Sequence, residues 1–180
     1  MLHITIPAVE LFDERTQTFI ETKQQTLQLE HSLVSLSKWE SKWQKPFYSN
    51  MEKSIEETID YVKCMTITPN VKPEVYNFLT NDHLQQIYEY IGSPMTATTF
   101  SAHEKQAPNR EVVTAELIYY WMITAQIPFE CEKWHLNKLI TLIRVCSVKS
   151  QPPKKMSKKE LMSRNHALNA ARRKQHNTKG

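Results

Sequence analysis

Few residues in this chain of 180 stand at spacings that chemistry requires. Cys131-x-x-x-His135 places two metal-ligating types about one helical turn apart, and Cys64, Cys146 or His103 are further candidates. A structural zinc site draws on close Cys or His pairs that come in twos, and that pattern is absent. Cysteines serving as small core residues account for the same positions. Glu56/Glu57 and Glu130/Glu132 are paired carboxylates in sequence. Neighbours at i,i+1 and i,i+2 do not share a helix face, so surface or helix-dipole roles fit them better than acid–base work. The 7 histidines are scattered, and no Ser/His/Asp set stands out. The expectation is a protein with no catalytic residues, no metal and no cofactor.

Glycine narrows the choice further. Only Gly92 and Gly180 occur, where ~7% is usual. Phosphate-cradling loops need glycine for positive φ and close backbone approach. Neither a G-x-G-x-x-G nor a G-x-x-x-x-G-K-[ST] motif can be written, nor a G-x-S-x-G nucleophile elbow. The odd count of 3 cysteines reads as reduced thiols. The N-terminal stretch lacks the charged and apolar regions of a signal peptide. The longest apolar stretch, Leu117–Ile123, is far short of the ~20 residues a membrane span needs. A cytoplasmic start is therefore expected.

Two groups of residues suit binding instead. Trp39, Trp43 and Phe47 recur at i, i+4, i+8 with Lys42 and Lys45 between them. They read either as core rings laid inward by a helix or as anchors for a partner protein. The second group is the C-terminal tail. Residues 151–180 hold nine Lys or Arg against one acid, Glu160, a net +8, and residues 1–150 are then left at −4. Its candidate contacts are Lys158, Lys159, Arg164, Arg172, Arg173 and Lys174. A solvated tail, a helix docked on an acidic protein surface (the chain's own or another's) and a phosphate contact with nucleic acid all fit this charge. The tail has no aromatic residue, which argues against base stacking.

The elements that must position these groups are mainly helical. Residues 1–36 read as extended, with strands at Leu2–Ile6, Thr16–Thr22 and Thr26–Leu29, a small hairpin or three-stranded sheet. Ser37-x-x-Glu40 and Ser54-x-x-Glu57 have capping-box spacing. Pro73 opens a helix over Glu74–Leu79. Asn81 or Asp82 caps the next helix, with Leu84, Ile87, Tyr88 and Ile91 on one stripe and Gly92 at its stop. Thr96–Arg110 reads as a loop. Glu111–Ala125 is apolar on nearly every side, as in a core or an obligate interface. A final core helix is expected over Cys131–Val148, with Trp134, Leu139, Ile140, Leu142, Ile143 and Cys146 inward. Ser150–Pro153 ends it, and a Ser157-x-x-Glu160 box opens a basic helix over Leu161–Lys174. The fold class expected is mainly α, with a helical bundle after the β element. Residues 1–150 form the core domain and 151–180 the tail.

Several blocks resemble those of a family of small tailed-bacteriophage proteins. They are Ser37-Lys-Trp-Glu-Ser-Lys-Trp-Gln-Lys-Pro-Phe47, Ile118-Tyr-Tyr-Trp-Met122, Ile127-Pro-Phe-Glu-Cys131 and Trp134-His-Leu-Asn-Lys-Leu139, then Pro152-Pro-Lys-Lys-Met-Ser157 and Asn169-Ala-Ala-Arg-Arg-Lys174. They span about residues 35–175. The resemblance is to tail assembly chaperones and other proteins of the tail region. It implies a non-catalytic factor in the cytoplasm of an infected bacterium that holds a tail or baseplate polypeptide during virion morphogenesis. Two alternatives stay open: a structural virion component at the neck, baseplate or connector, and a nucleic-acid-binding protein using the basic tail. Self-association is compatible with each, and no membrane partner is expected.

Overall fold

The computed structural model describes residues 1–13, 18–49, 52–100, 112–150 and 157–178, with the side chains of 9–13 and 18–22 left out. It is mainly helical, as the sequence predicts. Two compact units are present, Met1–Ser147 and Val148–Gly180.

The first unit opens with four strands, β1 (Leu2–Ile6), β2 (Val9–Asp13), β3 (Thr18–Thr22) and β4 (Gln25–Leu29). β1 pairs with β4 and β2 with β3, both antiparallel. One register runs through both pairs, from Leu2 opposite Leu29 to Asp13 opposite Thr18. The interruption falls at Pro7, which has no N–H to give a ladder. The antiparallel pairing fits the expected small hairpin, and β2 is a strand the sequence reading did not name. Ile4, Ile6, Leu27 and Leu29 are buried while their neighbours face out, the period-two alternation of a half-buried sheet. β4 is tied to the next layer by Glu30 N–H donating to Met65 O at 2.9 Å and Ile67 N–H donating to Gln28 O at 2.8 Å.

Helix α1 runs over Leu33–Trp43 and α2 over Ile55–Met65. Ser54 and Glu57 form the expected capping box on α2. On α1 the box is Ser32 with Ser35 rather than Ser37 with Glu40, so the helix starts earlier than its spacing predicts. Leu33 and Leu36 are fully buried, and burying them requires this start. Pro73–Phe78 is a 3₁₀ helix, tighter than the α-helix expected. Helix α3, Asn81–Gly92, is capped by Thr80 with His83, not by Asn81 or Asp82. Helix α4, Ala115–Thr124, is capped by Thr114. Val112 and Val113 precede it, residue 111 and the segment 101–110 lie outside the described residues, and 96–100 are non-helical.

Helix α4 is two-sided. Ala115, Ile118 and Met122 are fully buried, whereas Tyr120 and Ile123 are 61% and 60% exposed. Cys131 sits in a separate 3₁₀ helix, Phe129–Lys133, so α5 begins later than expected, at Leu136, and runs to Ser150. Leu136 and Leu139 are its buried residues; Ile140, Leu142, Ile143 and Cys146 are half-buried and Trp134 is exposed. The inward list from the sequence is corrected accordingly. In the second unit α6 runs over Lys158–His176, with the Ser157–Glu160 box at its start, and every residue in it is exposed.

Candidate functional site

The fold buries Trp39 and leaves Phe47 9% exposed. Trp39 is 1% exposed and donates its indole N–H to Glu57 O at 2.9 Å. α1 ends at Trp43, where Gln44 takes left-handed φ of 51°. The chain then turns back, and the Phe47 ring packs 5.2 Å from Trp39 and 4.2 Å from Tyr61. Trp43 is half-buried and donates to Asp60 Oδ2 at 3.0 Å. The interleaved lysines serve the same seam: Lys42 pairs with Asp60, and Lys45 with Glu57 Oε1 at 2.6 Å. The Lys45 hydrogen bond, then the Ser54 N–H, hold the Glu57 carboxyl below its ordinary value. A further buried carboxylate completes the seam. Glu40 accepts Phe47 N–H and Ala115 N–H, both at 2.7 Å, and Ala115 is the first residue of α4. The negative charge thus meets the positive end of a helix.

A polar cluster lies beneath. His31 is fully buried and its Nδ1 shares a hydrogen bond with Tyr61 Oη at 2.6 Å, while its Nε2 has no hydrogen-bond partner among the described residues. His135 stacks edge-on, with ring centroids 5.2 Å apart, and its Nε2–H donates to Tyr90 O at 3.0 Å. Burial, then the nearby His135, lower the His31 pKa to about 3. Burial also lowers that of His135, against the Tyr90 carbonyl, and pushes the Tyr61 hydroxyl well up. Both histidines are neutral near pH 7, and the cluster joins the strands, α2, α3 and α5 through uncharged contacts. Asn137 Nδ2 closes the end of α3 by donating to Ile91 O and Ser93 O, both at 2.8 Å.

The metal candidates do not converge. Cys131 is buried in its 3₁₀ helix, Cys64 is half-buried with its thiol pushed up by burial, and His103 lies outside the described residues. Among the described residues no three His, Cys, Asp or Glu side chains are grouped to hold a metal ion. No helix among them is long and apolar enough to cross a membrane.

The feature that sequence spacing did not single out is an apolar groove between α2 and α3. Its floor is Phe47, Tyr61, Val62 and Ile87, and its outer wall is Leu84, Tyr88 and Ile91 of α3. Lys53 and Thr58 complete the lining. The cavity is about 200 Å³, below the ~300–1,000 Å³ of small-molecule sites. Tyr88 is 58% exposed at its lip. The α3 stripe was legible in the sequence as Leu84, Ile87, Tyr88 and Ile91. The gap it leaves against α2 depends on the placement of two helices and has no local signal.

The remaining candidates, Lys158, Lys159, Arg164, Arg172, Arg173 and Lys174, all lie on α6 and are exposed. Leu161 and Leu168 of the same helix are 47% and 46% exposed.

No protein-family model matches the chain, and no curated protein or solved structure is significantly similar to it.

Proposed function

We propose that the chain is a non-catalytic bacteriophage assembly protein that holds a tail or baseplate polypeptide while the virion is built. The observation that carries the binding half of this reading is the groove between α2 and α3. It is an apolar depression with exposed Tyr88 at its lip, on a unit whose other buried polar groups are largely bonded to one another. An apolar recess of that size suits side chains of another polypeptide better than a cofactor. The phage half rests on the resemblance of the tryptophan-rich and Pro-Pro-Lys-Lys blocks to tail-region proteins. The test is affinity capture of the full chain from infected cells, with mass spectrometry of the bound proteins and of purified particles. Recovery of a tail or baseplate polypeptide, with the chain scarce in particles, is expected. Capture that contains no such polypeptide sinks the reading, and a stoichiometric presence in particles replaces it with the structural one.

A second reading has its own observation. Helix α6 exposes six Lys or Arg against one acid, and a phosphate backbone would be neutralised by such a row. If it binds nucleic acid, affinity in a filter titration falls steeply between low and moderate salt and is lost when residues 151–180 are removed. Salt-independent retention rejects it.

A further inference from the structure

We propose that the α2–α3 groove receives a segment of a partner polypeptide in which a large apolar side chain lies beside a carboxylate. The side chain fills the groove and the carboxylate pairs with Lys53. This rests on the binding reading above and gives its partner a chemistry.

Size sets the first requirement. The cavity of about 200 Å³ is a little larger than the ~150 Å³ apolar cavity that takes a benzene. It therefore has room for one large apolar side chain, or for a smaller pair. Its floor of Phe47, Tyr61, Val62 and Ile87 offers such a group contact on several sides.

Charge sets the second requirement. Lys53 lines the groove with its ammonium 4.3 Å from the Phe47 ring and 5.9 Å from the Trp39 ring. Ring faces attract a cation but do not neutralise it. Among the described residues, no carboxylate is within ion-pair distance of it. Glu57 attracts it from further away, but both Glu57 oxygens are occupied, Oε1 by Lys45 at 2.6 Å and Oε2 by Ser54 N–H at 2.9 Å. Burial has already taken water from Lys53, and this lowers its pKa against the pull of Glu57. An incoming carboxylate replaces the lost part of its hydration, whereas an incoming cation meets like charge. An apolar segment without charge fills the recess and leaves Lys53 more deeply unpaired. The three cases are therefore ranked: acidic, neutral, basic. Docking of an amphipathic helix into a groove is a recurrent mode for such pairings.

The experiment titrates the full chain into dye-labelled, alanine-based helical peptides that carry Leu with Glu one turn on, or with Gln or Lys in place of the Glu. The Glu peptide is expected to bind about tenfold tighter than the Lys peptide. Lys53→Glu should invert that order. Lys53→Met, which keeps the stem over Phe47, should erase the Glu-over-Gln preference without changing the thermal melt. Tyr88→Ala should weaken all three peptides. Equal affinities, an order unchanged in Lys53→Glu, or no binding by any peptide overturns the proposal. So does concentration-dependent dimerisation that Tyr88→Ala abolishes, since a second copy then owns the groove. The two readings separate cleanly. A tail polypeptide captured equally by wild type and Lys53→Glu, with no peptide ranking, removes the groove assignment and leaves the assembly reading standing. The expected ranking, with no tail polypeptide captured, supports the groove and removes the assembly reading.

Discussion

Toward α1, helix α2 presents Glu57 and Asp60, both buried and both bonded to lysines and indoles of α1 and the turn that follows it. Toward α3 it presents Thr58, Tyr61 and Val62, and there the two helices leave a recess edged by Lys53, which has no ion pair among the described residues. The same helix thus carries one closed side and one open side. The closed side is polar as well as aromatic, because the turn after Gln44 and the first residue of α4 need hydrogen-bond partners that Glu40 supplies, and the Trp39 indole needs one that Glu57 O supplies. The open side has few polar groups to satisfy, so it can stand solvated without an orphaned donor. The difference assigns stability to one face and leaves the other to the proposed binding.

The largest effect should come from breaking the closed side. Trp39→Ala removes a fully buried ring that contacts Trp43, Phe47 and Tyr61. It should cost about 3–5 kcal/mol, the usual range for an aromatic cut from a core, read from urea unfolding. Tyr88→Ala on the open side should stay within about 0.5 kcal/mol of wild type, as exposed substitutions do. A comparable loss at both positions would show that the groove wall is part of the core and would dissolve the contrast.

How much of this was legible depends on range in sequence. The Ser54–Glu57 box is local chemistry four residues long, and it reads correctly. The aromatic triplet was readable as a cluster but not as a shape. An i, i+4, i+8 spacing implies one continuous helix, yet the helix stops at Trp43 and Phe47 returns to the cluster through a turn. β2 was missed because its existence depends on pairing with β3 rather than on the propensity of Val9–Asp13. In the interface reading of the sequence, Lys42 and Lys45 join the rings as anchors for a partner. Their acids lie 18 and 12 residues away on α2, so only the fold reveals that they are already used.

A second, intermediate effect concerns the buried polar cluster behind both sides. Folded His31 has its pKa lowered to about 3 from an ordinary 6.5. Between those values the unfolded chain takes up a proton that the folded chain cannot accept. Stability therefore falls as pH drops below 6.5 and levels off near 3, with a slope of up to ~1.4 kcal/mol per pH unit for one such group. His135, also lowered, adds in the same direction. Glu57 has a depressed carboxyl, so the stability it contributes is present above 4.5 and is lost only below it. The window from pH 6.5 to 4.5 therefore isolates the histidines. Urea midpoints across that window should decline on acidification, and His31→Gln should flatten the decline whatever it does to the absolute stability. An unchanged slope would show that the buried pair does not set the acid limit.

The smallest effect concerns glycine and tests the open side. Gly92 is the last residue of α3, the groove's outer wall, and it does not have positive φ. A methyl group there would meet nothing within 4 Å. Positive φ occurs instead at Gln44, at the end of α1 on the closed side, where a side chain bears the strain that glycine avoids. The two positions hold each other's better residue. Gly92→Ala should stabilise by about 0.5 kcal/mol through the lost freedom of the unfolded chain. Gln44→Gly should gain a similar amount by relieving the left-handed backbone, since glycine is favoured after a helix end. Their consequences for the groove should differ. Gly92→Ala stiffens the wall that carries Leu84, Tyr88 and Ile91, so it should slow dissociation of the Leu–Glu peptide as well as raise the melting temperature. Gln44→Gly should raise the melting temperature and leave the peptide's dissociation rate where it was. If both variants change dissociation alike, the two sides of α2 are mechanically one, and the division between a stabilising face and a binding face fails.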